Sequence, residues 1–441
     1  MSALNATHDA GLRSWVESAN APGTDFPIQN LPFGVFLPVH APHQAARCGV
    51  AIGDRVVDVH RLAALFTGEA ATAARACGAA ALNDLMALGP KAASALRAQL
   101  SGLLAQDATS TRGRVEEALL PMEGVALQLP VRIAGYTDFF ASVHHATNAG
   151  RLFRPDQPLL PNYKHVPIAY NGRANSIRPG GVPVTRPHGQ QRPALPGDAP
   201  VFGPSQRLDH EVELGVLVGR ATQPGLPVPV GGAWDHIFGF CLLNDWSARD
   251  IQSWEYQPLG PFLAKSFATS VSPWIVTAEA LAPFRTAAAP RPAGDPPALP
   301  YLSDAGDQAS GALRIHLDAH LSTLQMRRQG LPAHRLSRSD SATLYWTVAQ
   351  MVAHHTSNGC ALDTGDLLGS GTISGDDDSA LGSLLEITAN GTRTLALPSG
   401  EQRGFLLDGD EVCLSGFCEK PGYARIGFGE CRATVLPAVE A

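Results

Sequence analysis

The sequence predicts a mainly β protein in two parts, a small N-terminal β unit with helices and a larger C-terminal β domain. Its 441 residues exceed what one ordinary hydrophobic core organises. Near residue 125 the composition changes from Ala- and Leu-rich segments to many short apolar runs among Gly, Pro and β-branched residues. We therefore expect one unit over residues 1–125 and a large β domain over residues 126–441.

The N-terminal unit is predicted to start with strands and to continue as helices. Residues 31–60 contain short β-type runs, and Gly53-Asp54 interrupts the second run as a hairpin turn. Residues 61–119 are rich in Ala and Leu, and we expect helices over 70–88 and 91–104.

The C-terminal domain is predicted to consist of strands joined by loops. The stretch 282–305 is rich in Pro, Ala and Gly, so we expect a loop that is mobile or draped on the surface. Residues 340–355, DSATLYWTVAQMVAHH, predict a helix.

Charge and composition limit the partners of the protein. Its net charge of −7 argues against nucleic acid or an anionic membrane as a main partner. The chain has neither a run of about 18 apolar residues for a membrane span nor the pattern of a secretory signal. Seven scattered cysteines without CxxC spacing predict neither a disulfide framework nor a zinc site. We expect a cytoplasmic protein.

The segment 244–267 contains polar residues at regular intervals. From Asp245, the steps to Arg249, Gln252 and Tyr256 are four, three and four residues, which predicts one helical face. With Lys265 nearby, this set suits a hard cation and an anionic, oxygen-rich ligand. The alternative is a solvated helix with one Asp–Arg pair.

A second group of acids lies in the apolar run HEVELGVLVG, which predicts a strand. Glu211 and Glu213 are two residues apart, so their side chains point to the same side. Two carboxylates on an apolar strand repel each other, and a divalent cation such as Ca²⁺ or Mg²⁺ relieves that repulsion. Asp138 and Asp245 can complete a site of four carboxylates. The alternative is a strand with one solvated polar face.

Asp138 and His145 are seven residues apart, so a helix would place both on one face. A neutral imidazole near a metal site can take a proton from water, although a structural histidine is the alternative. The segment GSGTISG at 369–375, with Glu386 downstream, can present backbone N–H groups to a ligand. A simple β-turn is the alternative there.

Several long motifs occur together and in order: YTDFF, HHATN, LPNYKHVPIAYNGRANSI, HEVEL, HIFGF, LLNDWSARDIQSWEYQPLGPFLAKSF, HHTSNGC, DLLGSGTISG and FLLDGDEV. The chain resembles the fumarylacetoacetate hydrolase family over about residues 26–437. The resemblance implies an N-terminal SH3-like barrel, a large C-terminal β-roll and a homodimer. It also implies metal-dependent hydrolysis of the carbon–carbon bond of fumarylacetoacetate, a ketonic substance of tyrosine and phenylalanine catabolism.

The resemblance also implies roles for individual residues. Metal ligands fall on Asp138, Glu211, Glu213 and Asp245, with Ca²⁺ in the catalytic site. Mg²⁺ substitutes for it or occupies a second site that includes Lys265, through its backbone carbonyl, and Thr269. The base is His145, oriented by Glu386, and the catalytic donors are Arg249, Gln252 and Lys265.

Substrate contacts fall on Phe140, Arg154, Tyr170, Gln252, Tyr256 and Thr372. Phe140 departs from the family pattern, in which a tyrosine is usual at this position. Two other functions stay open. A sister activity of the family, acylpyruvate hydrolysis or 2-oxo-acid decarboxylation, would share the four acids, but sister enzymes are commonly shorter and lack the N-terminal barrel. A non-catalytic metal-dependent binding domain would not need His145 with Glu386.

Overall fold

Antiparallel strands form an SH3-like barrel in the N-terminal part of the computed structural model, which describes residues 4–41, 43–193, 195 and 197–440. The strands are β1 (Phe33–Pro38), β2 (Arg47–Ile52), β3 (Arg55–Asp58), β4 (Leu119–Pro121) and β5 (Val125–Gln128), paired in the order β4-β3-β2-β1-β5. The predicted hairpin turn is confirmed, since Ile52 pairs with Arg55. Gly53 in that turn has a φ of 54°, which glycine adopts without strain.

Helices connect β3 to β4: α1 (Gly68–Ala76), α2 (Asn83–Ala87), α3 (Pro90–Leu104) and α4 (Arg112–Glu116). The prediction of a helix over 91–104 is confirmed. The prediction of one helix over 70–88 is wrong, because the chain leaves α1 to make hydrogen bonds elsewhere. The Cys77 carbonyl accepts from the Cys48 N–H of β2 at 2.9 Å, and the Leu82 N–H donates to the Pro130 carbonyl at 2.9 Å.

The remaining elements build the C-terminal β domain. Its strands are β6 (Tyr136–Phe139), β7 (Ala169–Asn171), β8 (Ile177–Pro179), β9 (Val184–Thr185), β10 (His188–Gln191), β11 (Val201–Pro204), β12 (Leu208–Asp209), β13 (Val212–Val218), β14 (Ile237–Asp245), β15 (Ser247–Ala248), β16 (Thr269–Val271), β17 (Val276–Thr277), β18 (Arg285–Thr286), β19 (Ala312–Leu313), β20 (His316–Ser322), β21 (His334–Asp340), β22 (Leu367–Gly369), β23 (Leu395–Ala396), β24 (Gln402–Arg403), β25 (Glu411–Cys418) and β26 (Ile426–Leu436). Its helices are α5 (Val143–Phe153), α6 (Arg249–Glu255), α7 (Leu263–Ser266), α8 (Ala305–Ser310), α9 (Leu324–Arg328), α10 (Val348–Thr356) and α11 (Leu384–Ile387).

Two large sheets organise this domain. One has the strand order β7-β6-β22-β13-β14-β16-β8, with β17 beside β14, and the other has the order β21-β20-β25-β26-β9. Val216 of the first sheet and Leu317 of the second belong to one large core. On the other face of the first sheet, Leu217 and Leu243 pack with residues of the N-terminal unit such as Leu96. The mainly β fold that the sequence predicts is confirmed.

One face of the first sheet changes from apolar to acidic along its length. Side chains alternate along a strand, so Leu217 and Leu243 share this face with Glu213 of β13 and Asp245 of β14. Asp138 lies at the same end of the sheet, on β6. The N-terminal unit thus covers the apolar part of the face, and the acids meet beyond it.

The loop expected over 282–305 is present, whereas the helix expected over 340–355 is shorter than predicted. The stretch 282–305 is largely loop, and Arg291 ties it to the domain by donating to the Tyr345 hydroxyl at 2.6 Å. The helix predicted over 340–355 begins only at Val348, because the Thr347 side chain caps it by accepting from the Gln350 N–H. Within the described ranges, no helix combines the length and apolar character needed to cross a membrane.

Candidate active site

A cavity of about 450 Å³ opens at the acidic end of this sheet face. Most residues singled out in the sequence line it: Asp138, Phe140, His145, Arg154, Tyr170, Glu211, Glu213, Arg249, Gln252, Tyr256, Lys265 and Thr372. Asp245 and Glu386 lie behind this wall, in contact with Lys265 and His145 respectively. Thr269 in turn contacts Asp245. The fold therefore brings all the predicted residues into one region.

Three buried carboxylates form a cluster that can hold a metal ion. Oxygen atoms of Asp138, Glu213 and Asp245 lie within 4.8 Å of one another. Strand β22 runs between β6 and β13 and presents Gly369 to the cluster. A Cβ atom at Gly369 would lie 3.0 Å from a Glu213 carboxylate oxygen, so a larger residue would fill the space among the acids.

The chemistry of these acids fits a divalent cation. Within the part of the chain that the structure describes, Asp138 Oδ1 and Glu213 Oε1 are buried without a hydrogen-bond partner. Burial raises the pKa of all three carboxyl groups, and repulsion between neighbouring carboxylates raises the pKa further. Carboxylate oxygens are the ligands that Ca²⁺ and Mg²⁺ prefer, and a cation here would remove the repulsion.

Glu211, the fourth predicted acid, lies between two cationic side chains. Arg249 Nη2 is 2.8 Å from Glu211 Oε1, and Lys265 Nζ pairs with Glu211 Oε2. Burial raises the pKa of the Glu211 carboxyl, but Lys265 and Arg249 outweigh it and hold this pKa below its ordinary value. The four-acid ligand set therefore stays a prediction.

Lys265 is held as a charged group despite its burial. Its Nζ donates to Asp245 Oδ2 at 2.6 Å as well as to Glu211. Burial lowers the pKa of Lys265, but Asp245 and Glu211 raise it above its ordinary value. Thr269 Oγ1 lies 3.5 Å from Asp245 Oδ1. The second ion beside Asp245 also stays a prediction.

A buried histidine–glutamate pair faces the same cavity. His145 Nδ1 lies 2.7 Å from Glu386 Oε2, with the side chains 4% and 1% exposed. Further donors to this carboxylate, at 2.8–3.0 Å, are Asn148 Nδ2, Ser374 Oγ and Ser383 Oγ. Burial raises the pKa of Glu386, but His145, Asn148 and Ser383 lower it to about 2. The ionised carboxylate accepts from Nδ1–H and leaves Nε2 of His145 as the proton acceptor.

Two predictions from spacing are wrong. Asp245 ends strand β14, and α6 begins at Arg249, so Asp245 and Tyr256 do not share a helical face. Asp138 lies on strand β6 and His145 on helix α5, so no helix joins them either. In both cases a strand ends at the cavity and a helix starts beside it, which brings the groups together.

The predicted substrate-contact residues line the cavity, and some are already held by the protein. Tyr170 donates its hydroxyl to Asp245 Oδ2 at 3.0 Å, and Arg154 Nη2 donates to a backbone carbonyl four residues on. The Phe140 ring lies edge-on to the His145 imidazole, with centroids 5.4 Å apart. An apolar ring thus contacts the base at this wall of the cavity.

The residues that surround Glu386 were missed in the sequence. Asn148 follows His145 by three positions on α5, which places both on one helix face. Ser383 and Glu386 form an S-x-x-E pattern, and Ser383 Oγ accepts from the Glu386 N–H at the start of α11. Both signals are present in the sequence. Ser374 lies within the Gly-rich segment but carries no signal of its own.

Comparisons with known proteins place this chain in a family. Residues 29–130 match the family model described as fumarylacetoacetase N-terminal, and residues 135–436 match fumarylacetoacetate (FAA) hydrolase C-terminal. The chain is 44% identical to the fumarylacetoacetase of Rattus norvegicus over 425 residues, 95% of this chain and 98% of the relative. It is 45% identical to that of Caenorhabditis elegans over 422 residues, 94% of this chain and 97% of the relative.

Among solved structures, a fumarylacetoacetate hydrolase from psychrophilic Exiguobacterium antarcticum aligns with a TM-score of 0.48 and 16% identity, covering 92% of this chain and 99% of that one. The family model and the relatives that match this chain by sequence are hydrolases, so the chain is a hydrolase as well. The chain belongs to the fumarylacetoacetate hydrolase family.

Proposed function

We propose that this protein catalyses the fumarylacetoacetase reaction, the hydrolysis of 4-fumarylacetoacetate to fumarate and acetoacetate in tyrosine and phenylalanine catabolism. The observation that carries the proposal is the buried His145–Glu386 pair beside the acid cluster in one cavity. A non-catalytic metal-binding domain has no need of such a pair. The match of residues 29–130 to a fumarylacetoacetase N-terminal model favours this reaction over acylpyruvate hydrolysis or 2-oxo-acid decarboxylation.

The first chemical step is the activation of water. His145 Nε2 takes a proton from a water molecule as the water oxygen attacks the ketone carbon on the fumaryl side. Glu386 keeps Nδ1 protonated and stabilises the imidazolium that forms. General-base catalysis of this kind contributes on the order of 10²–10⁴ in rate.

The second step breaks the carbon–carbon bond, and its electron pair passes to the acetoacetate half as an enolate. Arg249 and Lys265 are charged donors on the cavity wall, where they stabilise the negative charge that develops on oxygen. The Gln252 amide oxygen accepts from Arg249 Nη1 at 3.1 Å, so its NH₂ group is the end that donates to the substrate. The His145 imidazolium then returns its proton to the enolate carbon. A bound divalent cation would supply Lewis-acid polarisation of the diketone oxygens.

The other residues of the cavity wall bind the substrate. The cavity volume is within the range of small-molecule sites, roughly 300–1,000 Å³. Arg154 is the candidate partner for the fumaryl carboxylate because it brings a guanidinium to the wall. Tyr170, Tyr256, Thr372 and Phe140 complete the contacts.

The proposal extends to ions and assembly. Asp138, Glu211, Glu213 and Asp245 would hold Ca²⁺, and Mg²⁺ would substitute for it or occupy a second site at Lys265 and Thr269. The supporting observation is the raised pKa of three of the four acids. We place catalysis in residues 126–441 and expect a cytoplasmic homodimer. Metal analysis and light scattering of the purified protein test the ion and the dimer.

The activity is tested by incubating purified protein and a divalent ion with fumarylacetoacetate. Loss of the diketone absorbance, with fumarate and acetoacetate formed in equal amounts, is the expected result. The His145→Ala variant serves as the matched control and should leave the absorbance unchanged. Faster turnover of an acylpyruvate, or no fumarate formed, would overturn the proposal.

A further inference from the structure

Asp209 is a buried carboxylate that contacts two parts of the site at once. It ends strand β12 and is 0% exposed. Its Oδ2 accepts from Arg249 Nε at 2.9 Å. Its two oxygens also accept from the backbone N–H groups of Leu384 and Leu385, at 2.8 and 2.9 Å. Asp209 thus links the chain around α6 to the chain around α11.

The contact of Asp209 with α11 affects the position of Glu386, which orients the base His145. Leu384 and Leu385 form the first turn of α11, and Glu386 is the next residue of the same helix. N–H groups in a first helical turn have no partner within the helix, so an outside acceptor determines how that turn is held. Asp209 supplies this acceptor for two consecutive residues, and it thereby sets the position of the carboxylate that orients His145.

The contact of Asp209 with Arg249 affects the orientation of this arginine, one of the proposed donors to the substrate. The guanidinium has three contacts: Nε donates to Asp209, Nη1 donates to Gln252, and Nη2 forms an ion pair with Glu211. Three contacts in different directions fix the plane of the group, as its rigid fork allows. Without Asp209, the guanidinium keeps partners only at its outer nitrogens and can turn about them.

We propose that Asp209 is a positioning residue that keeps the Glu386–His145 pair and Arg249 in a fixed mutual arrangement. The inference rests on the proposed function of the site. The competing explanation is a buried ion pair that stabilises the fold and has no bearing on the reaction.

Asp209→Asn tests the proposal, since asparagine has the same shape but cannot accept at both ends. Its NH₂ group would face one of the donors now bound by the carboxylate. We expect kcat to fall on the order of 10²-fold, the typical cost of a small misplacement of reacting groups. KM should change less than about threefold, because Asp209 does not bind substrate.

Asp410→Asn is the matched control. Asp410 is 1% exposed and accepts from Arg403 Nε and Nη2 at 2.8 and 3.0 Å and from the Leu407 N–H at 2.9 Å. It therefore holds an arginine and a backbone N–H as Asp209 does, but neither it nor that arginine lines the cavity. This variant should lose stability and keep its kcat. An equal effect of both variants on kcat would overturn the proposal.

A double-mutant cycle gives a stricter test. In the Glu386→Gln background, the His145–Glu386 pair is already broken. Asp209→Asn should therefore lower kcat far less there than in the wild type. Full additivity would overturn the proposal. Asp209→Glu keeps the charge and shifts the carboxylate by one methylene, so it serves if the asparagine variant does not fold. Wild-type kcat in the glutamate variant would also overturn the proposal.

A spectroscopic readout separates this inference from the proposed function. The proton between His145 Nδ1 and Glu386 should give a downfield imidazole N–H resonance in protein with ¹⁵N-labelled histidine. The signal should shift or vanish in Asp209→Asn and persist in Asp410→Asn, whatever substrate the enzyme takes. An unmoved signal in Asp209→Asn refutes positioning, whereas a wild-type protein inactive on fumarylacetoacetate refutes only the proposed reaction.

Discussion

Replacement of Glu386 by glutamine should reduce turnover because it changes which nitrogen of His145 holds the proton. Glu386 Oε2 now accepts from His145 Nδ1 and from the hydroxyls of Ser374 and Ser383. The Asn148 amide donates to the other oxygen. A glutamine oxygen can keep the Asn148 bond, which leaves its NH₂ group facing Nδ1. The imidazole then turns to the tautomer protonated at Nε2, which cannot take a proton from water.

The structure also sets the size of the effect. The pKa of Glu386 falls from 4.5 to about 2, which corresponds to roughly 3 kcal/mol in favour of the ionised form. Asn148 and Ser383 account for part of this preference, so the loss of charge alone costs at most about 10²-fold in rate. The tautomer change adds to it, since the corresponding Asp→Asn change in a serine protease costs about 10⁴. We expect kcat to fall about 10²–10⁴-fold, with KM nearly unchanged.

Steady-state kinetics on fumarylacetoacetate, with the ion held constant, measure this loss. Glu401→Gln is the control. The pKa of Glu401 is also lowered to about 2, mainly by its hydrogen bond with Thr323, and its other partners are Ser399 and Arg403. That variant should keep wild-type kcat. If Glu386→Gln retained kcat within about threefold of the wild type, the assignment of the pair would be refuted.

Other outcomes are expected from the same site. His145→Ala should lower kcat about 10²–10⁴-fold and leave the ion content unchanged, since the base is not a ligand; loss of the ion would contradict this role. Chelation should abolish activity, and Ca²⁺ or Mg²⁺ should restore it; full activity without bound ion would refute the acid site. The raised pKa values of Asp138 and Glu213 mean that the ion-free folded protein holds protons that the unfolded chain has released above pH 3.8 and 4.5. Its stability therefore falls as pH rises beyond those values, and Ca²⁺ should raise Tm more at about pH 8 than at about pH 5; equal gains would contradict this. Phe140→Tyr should lower KM up to about tenfold with little change in kcat; an unchanged or raised KM would mean that the hydroxyl finds no partner.

The sequence carries enough information for the composition of the site but not for its geometry. Alternation in HEVELGVLVG correctly places Glu213 on a strand among buried residues. The steps of four, three and four from Asp245 match a helix. In the fold, however, Asp245 lies on strand β14 and pairs with Thr269 of the neighbouring strand β16. That pairing is a tertiary contact, and spacing within one segment cannot reveal it.

Competition among charges is also hidden in a linear sequence. Glu211 and Glu213 lie two residues apart in the same apolar run and share Val212 as a neighbour. In the fold, Glu211 is paired with Arg249 and Lys265, whereas Glu213 lies in the acid cluster without a cationic partner of its own among the described residues. Only the positions of the cations, which come from α6 and α7, distinguish the two acids.

The parallel pairing of β6 with β22 places Asp138 opposite Gly369, and this pairing governs when the site can appear during synthesis. The β6–β22 pairing beside the acids and the His145–Glu386 pair each join chain segments separated by more than two hundred residues, and contacts of such separation form late because a long loop must close first. A nascent chain on the ribosome can complete its N-terminal barrel early, since those strands are close in sequence. It cannot pair β6 with β22 beside the acids before residues 367–369 have emerged, and it cannot gain an oriented base before Glu386 has emerged. We therefore expect truncated products that end before α11 to lack hydrolytic activity, however much of the chain they contain.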